Sequence, residues 1–141
     1  SGIAGGVGAG GAIANGGGNG AFEVAFLGLG TDTSSLSVDE TTLILSVAQG
    51  GAGGAGSNGG NGSGGGVYVL GTTTASIDAT LIAFDAALGG CSGTGGASGQ
   101  GSGGGLYIDT GAVVTLSKSS KVVFNFASTS DDDIFGIYTT S

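Results

Sequence analysis

Two stretches of the chain, GSGGGVYV at residues 62–69 and GSGGGLYI at residues 101–108, decide its fold. They are nearly identical and lie 39 positions apart. The same shift places Ile77 over Leu116 and, in the other direction, over Val38. A period of this length is typical of solenoids and related arrays, in which each repeat stacks on its neighbours. The self-similarity therefore predicts a repetitive structure.

The repeat divides the chain into units within a single repetitive domain, residues 1–141. Each unit begins with a glycine-rich arm and continues with segments rich in Val, Ile, Leu and Thr, which favour β-strands over helices. We therefore expect an all-β, parallel β-helix-like solenoid of about three 39-residue units, with little or no α-helix. The predicted parts are an arm remnant (1–10), three units (11–49, 50–88 and 89–127) and an acidic C-terminal segment (128–141).

Glycine follows a three-residue spacing in the arms, which hold 31 of the 36 glycines of the chain. An extended threefold helix with glycine at every third position has one edge free of side chains, against which another backbone can pack. Collagen combines this geometry with proline, but the chain contains no proline. The arms are therefore expected to form polyglycine-II-like helices packed side by side.

Two expectations concern the strand halves of the units. Alternation along KVVFNF (121–126) places Val122, Phe124 and Phe126 on one face, and we predict that this face lies in the core. The alanine-rich stretch 79–88 is compatible with a short helix, but its equivalence to the segment around Phe124 in the next unit favours strand.

Charge and composition exclude several function classes. Ten acidic residues oppose two lysines, for a formal net charge of -8, so nucleic acid is not an expected partner. The chain has no His and one cysteine, Cys91, which removes the usual catalytic base and a Cys/His zinc site. No apolar run approaches the ~20 residues of a membrane-spanning helix. We expect no enzyme, no cofactor and no membrane span; whether Cys91 is free or bridges two chains stays open.

Acidic residues supply the few candidate sites. Asp78 with Asp85, or Asp131 with Asp133, are pairs of the kind that glycoside hydrolysis uses. Asp131, Asp132 and Asp133 are also candidate calcium ligands, because hard cations prefer oxygen. No calcium-loop motif surrounds them, so solvated loop charges and an acidic terminal turn are the alternative interpretations.

The apolar stretch that follows the acidic run, IFGIY (134–138), is short and strand-like. In a filament subunit it would add as a strand to the next copy, which makes Ile134, Phe135, Ile137 and Tyr138 candidates for self-association. In a solitary domain the same stretch would cap the solenoid.

Both GGG-containing strand starts, together with VVFNFAS (122–128) and DDIFG (132–136), resemble bacterial right-handed parallel β-helix surface proteins. This class includes autotransporter-type adhesin passengers and the chlamydial polymorphic outer-membrane proteins, and GGAI at 10–13 is similar to half of the latter's signature. The glycine arms resemble the polyglycine-II bundles of springtail antifreeze proteins and of phage tail-fibre adhesin tips. The resemblance implies an exposed, repetitive recognition surface.

These observations predict an extracellular or cell-surface structural protein. It would be a non-catalytic subunit or segment of a self-associating surface fibre or adhesin, with copies of itself as partners and host or environmental glycans as further ones. The chain does not begin with Met, which indicates a processed product or a piece of a longer protein. The alternative is a monomeric ice-binding or glycan-binding module with one flat face, for which the threonines at 31–33 and 72–74 are the indication.

Overall fold

Parallel strands in stacked sheets make up the part of the chain that the structure describes. The computed structural model describes residues 5–6, 8–9, 13–15 and 34–141. Over these ranges the chain is all-β and helix-free, as predicted, and its arrangement is compatible with a β-solenoid. Within the same ranges no helix has the length and apolar character needed to cross a membrane.

Five sheets collect strands from successive passes of the chain. Sheet 1 joins β1 (Gly8–Ala9), β6 (Gly62–Ser63) and β11 (Gly101–Ser102). Sheet 2 joins β2 (Ile13–Asn15), β7 (Val67–Val69), β12 (Leu106–Ile108) and β16 (Ile134–Phe135). Sheet 3 joins β3 (Ser34–Asp39), β8 (Thr73–Asp78), β13 (Val113–Leu116) and β17 (Thr139–Thr140). Sheet 4 joins β4 (Thr42–Ile44), β9 (Leu81–Ala83) and β14 (Lys121–Val123); sheet 5 joins β5 (Val47–Gln49), β10 (Ala86–Leu88) and β15 (Phe126–Ala127).

Partner strands are related by a nearly constant shift along the sequence. Thr42 pairs with Leu81, 39 positions later, and Leu81 pairs with Lys121, 40 positions later. The first pass differs, because Ile13 pairs with Val67, 54 positions later. The connection from β2 to β3 is therefore 15 residues longer than the connection from β7 to β8.

The hydrophobic core lies between sheets 2, 3 and 4. It is built from inward positions of the strands, as β8 shows by its strict alternation of buried and exposed residues. Burying one aliphatic side chain of this kind contributes about 1.5–3 kcal/mol, so these contacts hold the three sheets together. The largest fully buried aliphatic side chains are Val67, Val69, Ile77, Ile82, Leu106 and Val114.

Sheets 1 and 5 pack backbone to backbone through the smallest residues. The inward positions of sheet 5 are Ala48, Ala87 and Ala127, all buried. A Cβ atom built on Gly62 would overlap the carbonyl groups of Ala48 and Leu88, so only glycine fits where these two sheets approach. This end of the cross-section is therefore closed by main-chain contact and not by large side chains.

Main-chain hydrogen bonds join the glycine-rich segments 50–66 and 89–105 at every third residue. Each segment also turns back on itself, since Gly60 donates to the carbonyl of Gly51 (2.8 Å) and Gly99 to that of Gly90 (2.9 Å). Four of the bonds between the two segments form this three-residue series; they measure 2.8–2.9 Å and run from the amides of Gly53, Gly56, Gly59 and Gly62 to the carbonyls of Cys91, Thr94, Ala97 and Gln100.

A left-handed residue interrupts the strand predicted over 122–126. Phe124 has φ 59°, and Leu45 and Phe84 adopt the same conformation in the other passes, at 59° and 58°. The corner turns Phe124 outward to 74% exposure and leaves Phe126 54% exposed, whereas Val122 packs against the core. The prediction that all three face the core was wrong, because alternation does not continue through a left-handed residue.

The alanine-rich stretch 79–88 is strand, as its equivalence to the next unit indicated. It forms β9 and β10, which are separated by the left-handed corner at Phe84. A further positive φ, 43° at Ala79, separates β8 from β9. The stretch predicted as strand is thus two short strands, with one sharp corner at its start and a second between them.

Candidate functional site

A ladder of polar side chains runs through the interior at the corner between sheets 4 and 5. Its members are Asp85, Asn125 and Asp133, and each accepts a hydrogen bond from the main chain of the preceding pass. Asp85 and Asn125 directly follow the left-handed residues Phe84 and Phe124. The amide of Ser46 donates to Asp85 Oδ1 (2.7 Å), that of Asp85 to Asn125 Oδ1 (3.0 Å), and that of Asn125 to Asp133 Oδ1 (3.0 Å). The ladder thereby satisfies main-chain donors that the corners leave without a strand partner.

Asp85 carries the unsatisfied group of this ladder. The residue is 1% exposed, and its Oδ2 atom has no hydrogen-bond partner. Burial raises the pKa of Asp85, and the amide of Ser46 opposes this shift. By contrast, Asn125 uses its second polar atom, since Nδ2 donates to the carbonyl of Ile82 (3.2 Å).

The Asp78 and Asp85 pair does not form a shared site. Asp85 lies inside the fold, whereas Asp78 is exposed and accepts hydrogen bonds from the amide of Ala79 (2.8 Å) and from Ser119 Oγ (3.0 Å). Hydrogen bonds from Ser117, Ser119 and Ala79 lower the pKa of Asp78. The two carboxyl groups therefore differ in solvent access and in direction of pKa shift.

The acidic run at 131–133 folds over the last pass of the chain. Asp132 Oδ1 accepts from the amide of Ala127 (2.9 Å), and Asp133 Oδ1 accepts from both the amide and Nδ2 of Asn125 (3.0 Å each). Asp131 is left-handed, with φ 58°. Two of the three candidate calcium ligands thus bond to the chain itself, and the described ranges hold no group of three acidic or Cys side chains placed to bind a metal ion.

The self-association candidates lie in the same terminal segment. Ile134 and Phe135 form β16 on the edge of sheet 2, and Ile134 packs against the core. Ile137 is 86% exposed, and Tyr138 is also exposed. The segment therefore pairs with its own chain through β16 and β17. These are the terminal strands of sheets 2 and 3, so the outer edge of each strand has no partner strand among the described residues.

A column of aromatic rings stands on the outer surface of sheet 2. The ring of Tyr107 stacks on Tyr68 (centroids 5.1 Å apart, planes 3° apart) and on Phe135 (4.7 Å, 5°). The column ends beside a cleft of about 250 Å³ between the turn at 109–112 and residues 135–137. This column was not predicted from the sequence, although the equivalence of Tyr68 and Tyr107 in the repeat was a signal for part of it.

Two further surfaces are repetitive. Sheet 3 presents hydroxyl groups in register, and Thr115 Oγ1 lies 3.3 Å from Thr139 Oγ1; this rank comprises Ser37, Ser76, Thr115 and Thr139. Among the threonines proposed for an ice-binding face, Thr73 is buried and Thr74 exposed, while 31–33 lie outside the described residues. The corner between sheets 4 and 5 exposes an apolar ridge of Ile44, Leu45, Val47, Phe84, Phe124 and Phe126.

Cys91 is a free, exposed thiol in the 89–105 segment. Comparisons of this chain with protein-family models, with curated proteins and with solved structures found no match. The surfaces and contacts of the chain itself are therefore the basis for a functional assignment.

Proposed function

We propose that this chain is an extracellular, non-catalytic structural protein, a subunit or segment of a surface fibre or adhesin that associates with copies of itself. The observation that carries this proposal is the common order of sheets 2 and 3. Both begin with a strand of the first pass, β2 or β3, and end with a terminal strand, β16 or β17, and all their strands are parallel.

A second copy related by translation along the stack can extend both sheets at once. Its β2 and β3 would lie against β16 and β17 of the first copy, and exposed strand edges are templates for such pairing. A head-to-tail contact of this kind does not close on itself, so it generates a filament. The terminal segment then caps its own core and also presents the joining edge.

The proposal includes the repeat and the arms. We propose about three coils of about 39 residues, each carrying a polyglycine-II-like arm. The 39-residue shift between paired strands supports the repeat, and hydrogen bonds at every third residue between segments 50–66 and 89–105 support the arms. Stacked in a fibre, the arms would form a second hydrogen-bonded layer beside the sheets.

Surface location rests on the sequence. The resemblance to bacterial right-handed parallel β-helix surface proteins favours an extracellular or cell-surface setting, and the stacked parallel sheets are compatible with that class. A net charge of -8 with two lysines agrees with the composition of many secreted proteins. Copies of the chain are the proposed partners, and no cofactor is proposed.

Thr140 offers a sharp test of end-to-end pairing. Ser141 donates its amide to the carbonyl of Leu116 (3.2 Å) and accepts from the amide of Lys118 (3.1 Å), so both main-chain groups of Ser141 face β13. Alternate residues of a strand bond to opposite neighbours. The amide of Thr140 therefore faces the open edge, and Thr140→Pro removes an outward donor without removing these inner bonds.

The experiment is negative-stain electron microscopy and sedimentation velocity on the purified chain at neutral pH. We expect fibres from the unchanged chain and from Thr140→Ala, and single particles from Thr140→Pro with an unchanged circular dichroism spectrum. A monodisperse unchanged chain, or fibres that form equally well with Thr140→Pro, would contradict the proposal.

A second candidate function is ice binding by a monomer. The observation that favours it is the in-register rank of Ser37, Ser76, Thr115 and Thr139 on the outer surface of sheet 3, a regular and uncharged array of hydroxyls. Thermal hysteresis of a monomeric solution, abolished by Ser76→Asp, is the expected result for this candidate. Unaltered ice growth in the presence of the monomer rules it out.

A further inference from the structure

We propose that the cleft between the turn at 109–112 and residues 135–137 receives residues 16–33 of the next copy in the fibre. The cleft holds about 250 Å³. Residues 16–33 connect β2 to β3 and lie outside the described residues, but the strands on both sides of them are described. The inference rests on the head-to-tail pairing proposed above, and it names a contact between copies other than their strand edges.

The terminal pass crosses the corner between sheets 2 and 3 with fewer residues than the pass before it. Tyr107 pairs with Phe135, and Thr115 pairs with Thr139. Eight positions therefore separate the paired residues in the third pass, and four separate them in the terminal pass. The turn at 109–112 consequently has no counterpart of equal length in the terminal pass.

The same turn is covered on its other side. A Cβ atom on Gly111 would overlap the carbonyl oxygen of Gly71, so the turns of the second and third passes are in contact. Towards the terminal pass the turn borders the cleft, and there Gly136 packs closely against Ile108. The cleft is thus the space that a longer terminal corner would fill.

The first pass has the opposite irregularity at the same corner. Ala14 pairs with Tyr68 and Ser37 with Ser76, so 23 positions separate the paired residues in the first pass and eight in the second. Translation along the stack places β2 and β3 of the next copy against β16 and β17, one strand spacing of about 4.8 Å away. The long corner of that copy then begins and ends next to the short corner that forms the cleft.

The chemistry of the two parts also matches. Apolar side chains of Ile108, Ala112, Phe135 and Ile137 line the cleft, and Ile137 is 86% exposed. Residues 21–29 of the connection read AFEVAFLGL and contain a single charged residue. Removing apolar side chains of both parts from water favours their contact. The cleft is smaller than the sites of small molecules, which measure about 300–1,000 Å³, so it suits side chains of a docked segment.

The connection of the same copy is a less suitable occupant. It leaves the first pass, which lies three strand spacings, or about 14 Å, from the terminal pass. To reach the cleft it would have to run across the turns of the second and third passes and return. The connection of the next copy leaves from a strand beside the cleft, so the topology favours a second copy.

Photo-crosslinking in mixed fibres tests the contact. A chain with Cys91→Ser and Thr110→Cys carries a benzophenone at position 110, on the exposed lip of the cleft, and is mixed with an equal amount of isotope-labelled Cys91→Ser chain. After irradiation and digestion, mass spectrometry is expected to find cross-links from position 110 to residues 16–33 of the isotope-labelled copy. With Thr140→Pro in both chains, these cross-links should fall at least about tenfold, because the copies no longer assemble.

Lys118→Cys is the matched control for the label. Lys118 is exposed in the same pass, at the corner between sheets 3 and 4, so a benzophenone there should give no cross-link to residues 16–33. Fibres in which the cross-links from position 110 stay within one chain, or reach only other segments, would overturn the proposal.

The strength of assembly is an independent readout. Removing residues 19–33 gives the first corner the length of the connection from β7 to β8, and should raise the concentration needed for fibres about tenfold. Ile137→Asp should have a similar effect in the complete chain and no further effect in the shortened chain, because the docked segment is then absent. An equal effect of Ile137→Asp in both chains would contradict the contact.

The two proposals fail in different ways. If the unchanged chain forms no fibres, the proposed structural role fails, and this contact fails with it. If fibres form and Thr140→Pro prevents them, but no cross-link joins position 110 to residues 16–33 of another copy, only this inference is overturned. If the shortened chain does not fold, as its circular dichroism spectrum would show, the cross-links decide alone.

Discussion

Among the described residues, Asp85 has a buried carboxylate oxygen that accepts no hydrogen bond. Its Oδ1 atom accepts the amide of Ser46, but Oδ2 is buried and has no partner. Asn125, one pass later on the same ladder, solves the problem with an amide, whose Nδ2 donates to the carbonyl of Ile82. Ile82 pairs with Leu43 across sheet 4, so an amide at position 85 has the carbonyl of Leu43 as its equivalent acceptor.

We therefore predict that Asp85→Asn stabilises the chain at neutral pH, by about 1–3 kcal/mol. Burial raises the folded-state pKa of Asp85, so its contribution to stability is complete below the unfolded-state pKa and is lost as pH rises through the folded-state pKa. The gain from Asp85→Asn should accordingly be larger at pH 7 than at pH 4. Urea denaturation at the two pH values measures it.

Asp78→Asn is the matched control, with the opposite sign. Hydrogen bonds from Ser117, Ser119 and Ala79 lower the pKa of Asp78, so its contribution is present above the unfolded-state pKa and is lost as pH falls through the folded-state pKa. Asp78→Asn should reduce stability at pH 7 and have less effect in acid. A loss of stability at pH 7 from Asp85→Asn would show that the ladder does not accept an amide there.

At the scale of elements, the sequence predicted where strands form, but it did not predict the corners that decide which way their side chains point. Segments rich in Val, Ile, Leu and Thr predicted strands such as β7, β12 and β13, because β-branched and aliphatic side chains pack well on a pleated face. The corners at Leu45, Phe84 and Phe124 carry no such signature, since large apolar residues rarely adopt a positive φ. Alternation therefore placed Phe124 and Phe126 on the wrong side.

The aromatic column shows a second limit of the sequence. Tyr68 and Tyr107 are one repeat apart, so the 39-residue alignment superposes them. Phe135 pairs with Tyr107 at a shift of 28, because the terminal pass reaches sheet 2 without a glycine segment like 89–105. An alignment with a fixed 39-residue shift does not superpose Phe135 on Tyr107, because the terminal pass is shorter. For the same reason, the cleft beside Phe135 could not be predicted from the repeat.

Contact between the glycine segments yields a prediction at the element scale. A Cβ atom on Gly93 would overlap the backbone of Gly54, and neither main chain can move without breaking the bonds at Gly53 and Gly56. Gly93→Ala should destabilise the chain by about 1–3 kcal/mol. Thermal unfolding followed by circular dichroism gives the difference.

Gly6→Ala serves as its comparison, because nothing lies within 4 Å of a Cβ atom there. This substitution should leave the melting temperature within about one degree of the unchanged chain, consistent with a surface change of less than about 0.5 kcal/mol. Equal effects at Gly93 and Gly6 would mean that the close approach of the two segments is not needed for stability.

For the whole molecule, the unpaired strand edges favour assembly of copies, and the net negative charge opposes it. The edges of sheets 2 and 3 favour head-to-tail pairing, but each copy carries a net charge of -8, and the acidic run at 131–133 lies at the joining end. Repulsion between such ends is long-ranged at low ionic strength and is screened within about 10 Å at 0.1 M salt. Backbone pairing at short range is much less affected by salt.

Assembly should therefore speed up as salt is added. We predict that light scattering from the purified chain at pH 7 rises faster in 0.5 M than in 0.02 M NaCl, and that neutralising the run with Asp131→Asn removes part of this dependence. Asp131 is the suitable position because Asp132 and Asp133 bond to Ala127 and Asn125 within the cap. Fibres that dissolve in 0.5 M NaCl would contradict this prediction, because they would have to be held together by attraction between unlike charges. The basic side chains of this sequence are Lys118 and Lys121, so the joining surface would then have to include those two lysines.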